Sequence, residues 1–105
     1  MDALYEARMQ MIEAGGRTAE SFGISGLLGR IYMLLYMSKE PQCLADIAEA
    51  LGVSKASASI ACRQLQALAA LKPVWRKGDR RDFYEAETDL RTLLRNGVID
   101  SLNKK

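Results

Sequence analysis

Histidine does not occur in this chain of 105 residues, which removes the commonest general base and every histidine-containing zinc site. Cysteine is nearly absent as well. The two present, Cys43 and Cys62, stand among apolar neighbours and cannot complete a tetrahedral metal site by themselves, so they read as small core residues of a reducing compartment. A thiol redox sensor is the other reading of the same pair. No hydrophobic run reaches membrane-spanning length: the longest, Leu27 to Met37, is interrupted by Gly29 and Arg30. No charged-apolar-small leader opens the chain, and the expectation is a cytoplasmic protein without membrane contact. Proline occurs only at positions 41 and 73, and both break the chain between elements. With no histidine and little room for a large pocket, the acidic pairs Asp46/Glu49 and Asp82/Glu85 read as solvated faces. The expectation is no enzyme, no cofactor and no metal.

What is present is one domain's worth of apolar residues, 49% of the chain, and a charge distribution that the net value of +2 conceals. Residues 54–81 hold seven Lys or Arg against one acid, residues 1–53 hold four against seven, and residues 82–105 hold four against five. A basic segment between acidic flanks is the electrostatic footprint of a nucleic-acid binder.

Apolar and small residues recur at helical spacing from Asp2 to Phe22, through Leu4, Ala7, Met11, Ile12, Gly15 and Ala19. Gly15-Gly16 costs such a helix about 2 kcal/mol of propensity, yet the period keeps its phase through them, which predicts one long helix with a closely packed waist. Ser25 is placed to cap a second helix running to about Ser38, apolar nearly all round and therefore central. After Pro41, Gln42-Cys43-Leu44 suits an extended segment before a short helix at about Ala45–Leu51. Gly52 then ends that helix and Ser54 caps the next, the pattern of a helix-turn-helix. That fourth helix is expected over 54–71, with Ala58, Cys62, Leu65 and Ala69 buried. Val74–Lys77 and Asp82–Ala86 alternate about a Gly78-containing turn, forming a hairpin. Thr88 is positioned to cap a last helix bearing Leu90, Leu93, Leu94, Val98 and Leu102 on one stripe. The fold class expected is mainly α with a small β-hairpin: a winged helix-turn-helix of about five helices and a two- or three-stranded wing sheet.

The motifs Gly26-Leu27-Leu28-Gly29-Arg30-Ile31-Tyr32, Leu51-Gly52-Val53-Ser54-Lys55 and Asp79-Arg80-Arg81 resemble the winged-helix regulators of the MarR type, and among them the GbsR-like branch. The resemblance covers roughly residues 15–90, and the wing signature continues to Thr88 except that Glu87 stands where the family has Leu. It implies a homodimeric transcription regulator on double-stranded DNA, with residues 1–24 as an N-terminal dimerisation helix, 25–86 as the winged-helix core and 87–105 as a C-terminal dimerisation helix. It also implies a small-molecule effector near the dimer interface, which in this branch can be a quaternary ammonium compound. Tyr32 and Tyr36, at i and i+4, are the aromatic residues placed to meet such a cation.

Rotation about the fourth helix turns Ala56, Ser59, Ile60 and Arg63 away from its buried stripe, with Ser57 and Gln64 at the margin. The DNA-contacting set expected is therefore Ser54, Lys55, Ala56, Ser57, Ser59, Ile60, Arg63 and Gln64 from the helix, with Lys77, Arg80 and Arg81 from the wing. By resemblance Arg81 is the arginine that enters the minor groove, and Asp79 orients it. The dimer interface expected comprises Leu4, Met11, Ile12, Leu90, Leu94, Val98 and Leu102, which supply more apolar surface than one small winged helix needs. The competing reading is a winged helix serving protein–protein assembly.

Overall fold

The computed structural model describes residues 2–96. In chain order the elements are α1 (Ala3–Ser21), α2 (Gly26–Tyr36), β1 (Gln42–Cys43), α3 (Leu44–Leu51), α4 (Lys55–Ala67), β2 (Leu71–Arg76), β3 (Asp79–Ala86) and α5 (Leu90–Asn96). This is the five-helix winged helix-turn-helix that the sequence predicts, with three strands in the wing sheet.

Helix α1 runs unbroken through Gly15-Gly16 because those glycines lie against α2. A Cβ on Gly15 would meet the Gly29 carbonyl oxygen at 2.9 Å, and one on Gly29 would meet the Gly15 carbonyl oxygen at 2.2 Å. The two helix backbones touch at this point, so the propensity lost at the glycines is offset by packing that no larger residue permits. Ser25 caps α2 by accepting the Leu27 N–H at 3.3 Å. Ile31 and Leu35 of α2 then sit at the centre of a core shared with Leu44 and Ile47 of α3, Ala58, Cys62 and Leu65 of α4, and Tyr84 and Ala86 of β3. Ile12 is 2% exposed within the single chain. It is interior packing and offers a partner nothing, which removes it from the expected dimer interface.

Three boundaries differ from the sequence expectation. Helix α4 stops at Ala67, four residues early, in a Schellman turn: Ala70 N–H donates to Leu65 O and Ala69 N–H to Gln66 O, both at 2.9 Å. The left-handed position in that turn is taken by Ala69 (φ 62°) rather than glycine, at a conformational cost of about 1–2 kcal/mol, so no residue type announced the stop. Ala69 accordingly does not belong to the helix's buried stripe. The second difference is in the hairpin, where β2 begins at Leu71 and contains Pro73, and β3 begins at Asp79. The strand order β1-β3-β2 leaves β2 at an edge, where a residue without an N–H is tolerated. Third, Asp89 caps α5, accepting the Arg91 N–H at 3.0 Å, and Thr88 does not.

The wing is irregular. Pairing steps from Val74↔Phe83 to Arg76↔Asp79, so Trp75 alone spans Arg80, Arg81 and Asp82 on the facing strand. Glu87, the departure from the family pattern, ties the strand-to-helix junction together. Its N–H donates to Ala70 O at 2.8 Å, its carbonyl accepts the Tyr32 hydroxyl at 2.7 Å, and its carboxylate accepts the Asp89 N–H at 2.9 Å.

Candidate nucleic-acid interface

Ser54 starts the recognition face. Its Oγ accepts the Ser57 N–H at 3.0 Å and donates to Ser57 Oγ at 2.9 Å, which satisfies one end-of-helix donor and orients both hydroxyls. Ala58, Ala61, Cys62 and Leu65 are buried, and this stripe fixes the rotation of α4. Lys55, Ala56, Ser57, Ile60, Arg63 and Gln64 are consequently exposed, while Ser59 is half-buried at the edge of the face. Ile60 is 54% exposed, an apolar side chain in the middle of a polar surface.

On the wing, Arg81 is gripped by Asp79. Nε donates to Oδ1 at 3.0 Å and a terminal guanidinium nitrogen to Oδ2 at 2.8 Å, while the Arg81 backbone N–H also donates to Oδ1 at 3.0 Å. The bidentate pair holds the Asp79 carboxyl down at about 2 and raises the already high value of the guanidinium. The Arg81 guanidinium also lies 5.1 Å from the centre of the buried Phe83 ring. The expected Asp79–Arg81 partnership is therefore present as geometry, and the Arg81 side chain, 62% exposed, keeps an outward edge.

The sequence does not reveal how many of the seven cations in residues 54–81 are spent internally. Lys72 pairs with Glu85 at 3.5 Å, Arg76 with Glu40 at 3.4 Å and Arg81 with Asp79. Arg76 also lies over the Phe83 ring at 4.7 Å, so Phe83 carries a guanidinium from each strand. Among the described residues, Lys55, Arg63, Lys77 and Arg80 make no ion pair. Two of the four lie on α4 and two on the wing, and the helix and wing are linked by a cleft of about 310 Å³ lined by Lys55, Arg80 and Arg81.

Both thiols are buried, and burial pushes Cys62 up to about 11. A protonated, enclosed thiol is a poor nucleophile, so the redox-sensor reading has no support at Cys62, while the buried Cys43 Sγ lies 3.9 Å from an Arg81 guanidinium nitrogen. An apolar cavity of about 390 Å³ lies between α1, α2 and the end of α4, lined in part by Met11, Gly15, Leu28, Tyr32 and Leu68. Tyr32 is the one aromatic residue in its wall, with its hydroxyl committed to Glu87 O. Tyr36 is 55% exposed outside that wall, its ring 6.1 Å from that of Tyr32 and inclined by 29°. The two tyrosines stack on one another and do not flank a cation-sized space. Of the expected interface residues, Leu4 and Met11 are exposed, Leu90 and Leu94 fall on α5, and Val98 and Leu102 lie outside the described residues. Among the described residues no helix is long and apolar enough to cross a membrane.

These features define a winged helix-turn-helix domain of the kind found in transcription regulators. The chain is 30% identical over 89 residues to the HTH-type transcriptional repressor OpcR of Bacillus subtilis (strain 168), an alignment covering 85% of this chain and 48% of that protein. It is 32% identical over 87 residues to the HTH-type transcriptional repressor GbsR of the same organism, covering 83% and 48%. A crystal structure of a transcriptional regulator superposes with a TM-score of 0.72 at 28% identity, covering 77% of this chain and 56% of that one. No family model matches the chain. The curated relatives it matches are HTH-type transcriptional regulators, GbsR among them, and the fold is the winged helix-turn-helix. The chain spans about half the length of the curated relatives it matches.

Proposed function

We propose that this chain is the DNA-binding part of a cytoplasmic, homodimeric transcription regulator that inserts α4 into the major groove and lays its wing on the flanking minor groove. The observation that carries the reading is the placement of the cations that make no ion pair among the described residues. Lys55 and Arg63 stand on the exposed face of α4 and Lys77 and Arg80 on the wing, while Lys72, Arg76 and Arg81 are held by acids of the domain itself. A merely solvated surface has no need of that division. Ser57, Arg63 and Gln64 supply the base-edge and phosphate bonds, Ile60 the apolar contact to thymine methyls, and Lys55 a phosphate contact beside the cap. The apolar cavity is assigned to a small-molecule effector whose identity the lining does not specify.

Replacing Arg63 with Ala should cost about 1–3 kcal/mol on the preferred duplex and reduce the ratio of specific to random binding. Lys55→Ala should weaken all sequences alike and lower the salt slope by about one. Titrations onto the upstream region of the encoding gene and onto an unrelated duplex, at two salt concentrations, measure both. An unchanged ratio for Arg63→Ala would make it a phosphate contact, and salt-independent binding or none would favour the protein-assembly reading.

The dimer is assigned to the exposed apolar side of α1, where Leu4, Tyr5, Met11 and Phe22 are each at least half exposed. Sedimentation at micromolar concentration should give two chains, and operators should be pseudo-palindromic with half-sites about 10 base pairs apart. A monomer that binds its operator with undiminished affinity would exclude the arrangement.

A further inference from the structure

Trp75 is the single tryptophan of the chain, and at 81% exposure it is the most solvent-exposed large hydrophobic side chain among the described residues. Tryptophan is usually well covered, because its ring system buries about 150–250 Å² in a core or interface. Here it adds nothing to the core. It lies where the wing's register breaks: one β2 residue spans Arg80, Arg81 and Asp82 of β3, and such irregularities re-aim side chains. The result is a cleft of about 480 Å³ with Pro73 and Trp75 on one side and Arg80 and Arg81 on the other.

We propose that this cleft receives one deoxyribose-phosphate unit of the DNA strand bordering the minor groove, with the Trp75 indole packed on the sugar and its N–H bonded to a phosphate oxygen. The inference rests on the DNA-binding reading above and adds a contact to it. The location of exposed apolar groups favours DNA over a protein partner. Five of the seven large exposed hydrophobics, Leu4, Tyr5, Met11, Phe22 and Tyr36, lie on α1 and α2 or just after α1. Only Ile60 and Trp75 lie within the basic segment, one on the recognition helix and one on the wing. The cleft sets the cationic Arg80 and Arg81 beside the indole and the apolar Pro73, a pairing of basic and apolar groups. It matches the alternation of apolar sugar and anionic phosphate along a DNA strand. Of the acids lining the cleft, Asp79 is occupied by Arg81. Asp82 is exposed and makes no ion pair among the described residues, so it would repel a phosphate there.

Because the chain has one tryptophan, its fluorescence reports this site directly. The full chain is titrated with the preferred duplex while binding is followed independently by mobility shift. Trp75 emission should change in step with complex formation, and its quenching by iodide should fall at saturation. Trp75→Ala should weaken binding about tenfold, Trp75→Phe should retain most of the affinity, and Asp82→Asn should tighten binding about twofold. Thermal melts of the variants check that each is folded. Unchanged emission and quenching in a complex that the mobility shift shows to be saturated would overturn the proposal while leaving DNA binding intact. So would wild-type affinity of a folded Trp75→Ala. Emission that changes with protein concentration in the absence of DNA would also overturn it, assigning the indole to a second copy of the chain. Failure of the wild type to bind any duplex would instead remove the reading on which the proposal stands.

Discussion

Gly29→Ala should lower the stability of the domain by about 2 kcal/mol. The added methyl would lie 2.2 Å from the Gly15 carbonyl oxygen and 2.8 Å from Ala19 Cβ. A backbone oxygen cannot rotate away, so α1 and α2 must separate, at an overpacking cost of about 3 kcal/mol. Alanine returns about 1 kcal/mol of helix propensity, which leaves the net loss. For a domain of this size that corresponds to a fall in melting temperature of about 10 °C. Gly16→Ala is the informative comparison, because its methyl meets Arg30 Cγ at 2.9 Å and backbone only at 3.1 Å. It should cost less than Gly29→Ala. Urea and thermal melts of the two variants decide the matter, and a Gly29→Ala protein as stable as the parent would mean that the helix contact is looser than its geometry.

Arg81→Ala should weaken DNA binding about tenfold, lower the salt slope by about one, and reduce preference for A·T-rich flanks, whose narrow minor groove has the more negative potential. Asp79→Asn should give a milder form of the same defect, since Arg81 keeps its contact with Phe83 but loses its bidentate partner. The pH dependence follows from the direction of the Asp79 shift. Its carboxyl is held at about 2 in the folded wing, below the unperturbed value of about 3.9. The pair's contribution to wing order is therefore complete above about pH 4, and it is lost as pH falls through about 2. Between pH 5 and 8 this pair should impose no pH dependence on binding. Carboxyl-carbon chemical shifts should place the Asp79 midpoint near 2, and Arg81→Ala should move it up toward the ordinary range. Binding isotherms across salt, on duplexes differing only in flanking A·T content, test the DNA contact. Wild-type affinity and slope on all of them would mean that the wing does not touch DNA.

Much of this molecule is determined locally, and for that reason it is legible residue by residue. The α1 period survives Gly15-Gly16, Ser25 and Ser54 cap the helices they precede, Gly52 ends α3, and the buried stripe of α4 turns Lys55, Ile60 and Arg63 outward. Each follows from spacing and side-chain chemistry within about one helical turn. Asp79 and Arg81 are two residues apart, so their pairing is nearly as local.

The remaining features depend on residues distant in sequence. Helix α4 ends at a left-handed alanine because β2 must begin at Leu71 to pair with Ala86, and nothing in the local sequence marks that point. Ile12 shares its helical stripe with the exposed Leu4 and Met11, and only the packing of α1 on α2 separates interior from surface. The basic segment contains seven cations by count, yet Glu40, Glu85 and Asp79 neutralise three of them, two of those acids lying outside the segment. Trp75 falls at the register break opposite Arg80–Asp82 and stands in solvent, as does Pro73 two residues before it. In each case the deciding contact joins separate elements. The period of a single element sets which residues share a face, but not which faces other elements cover.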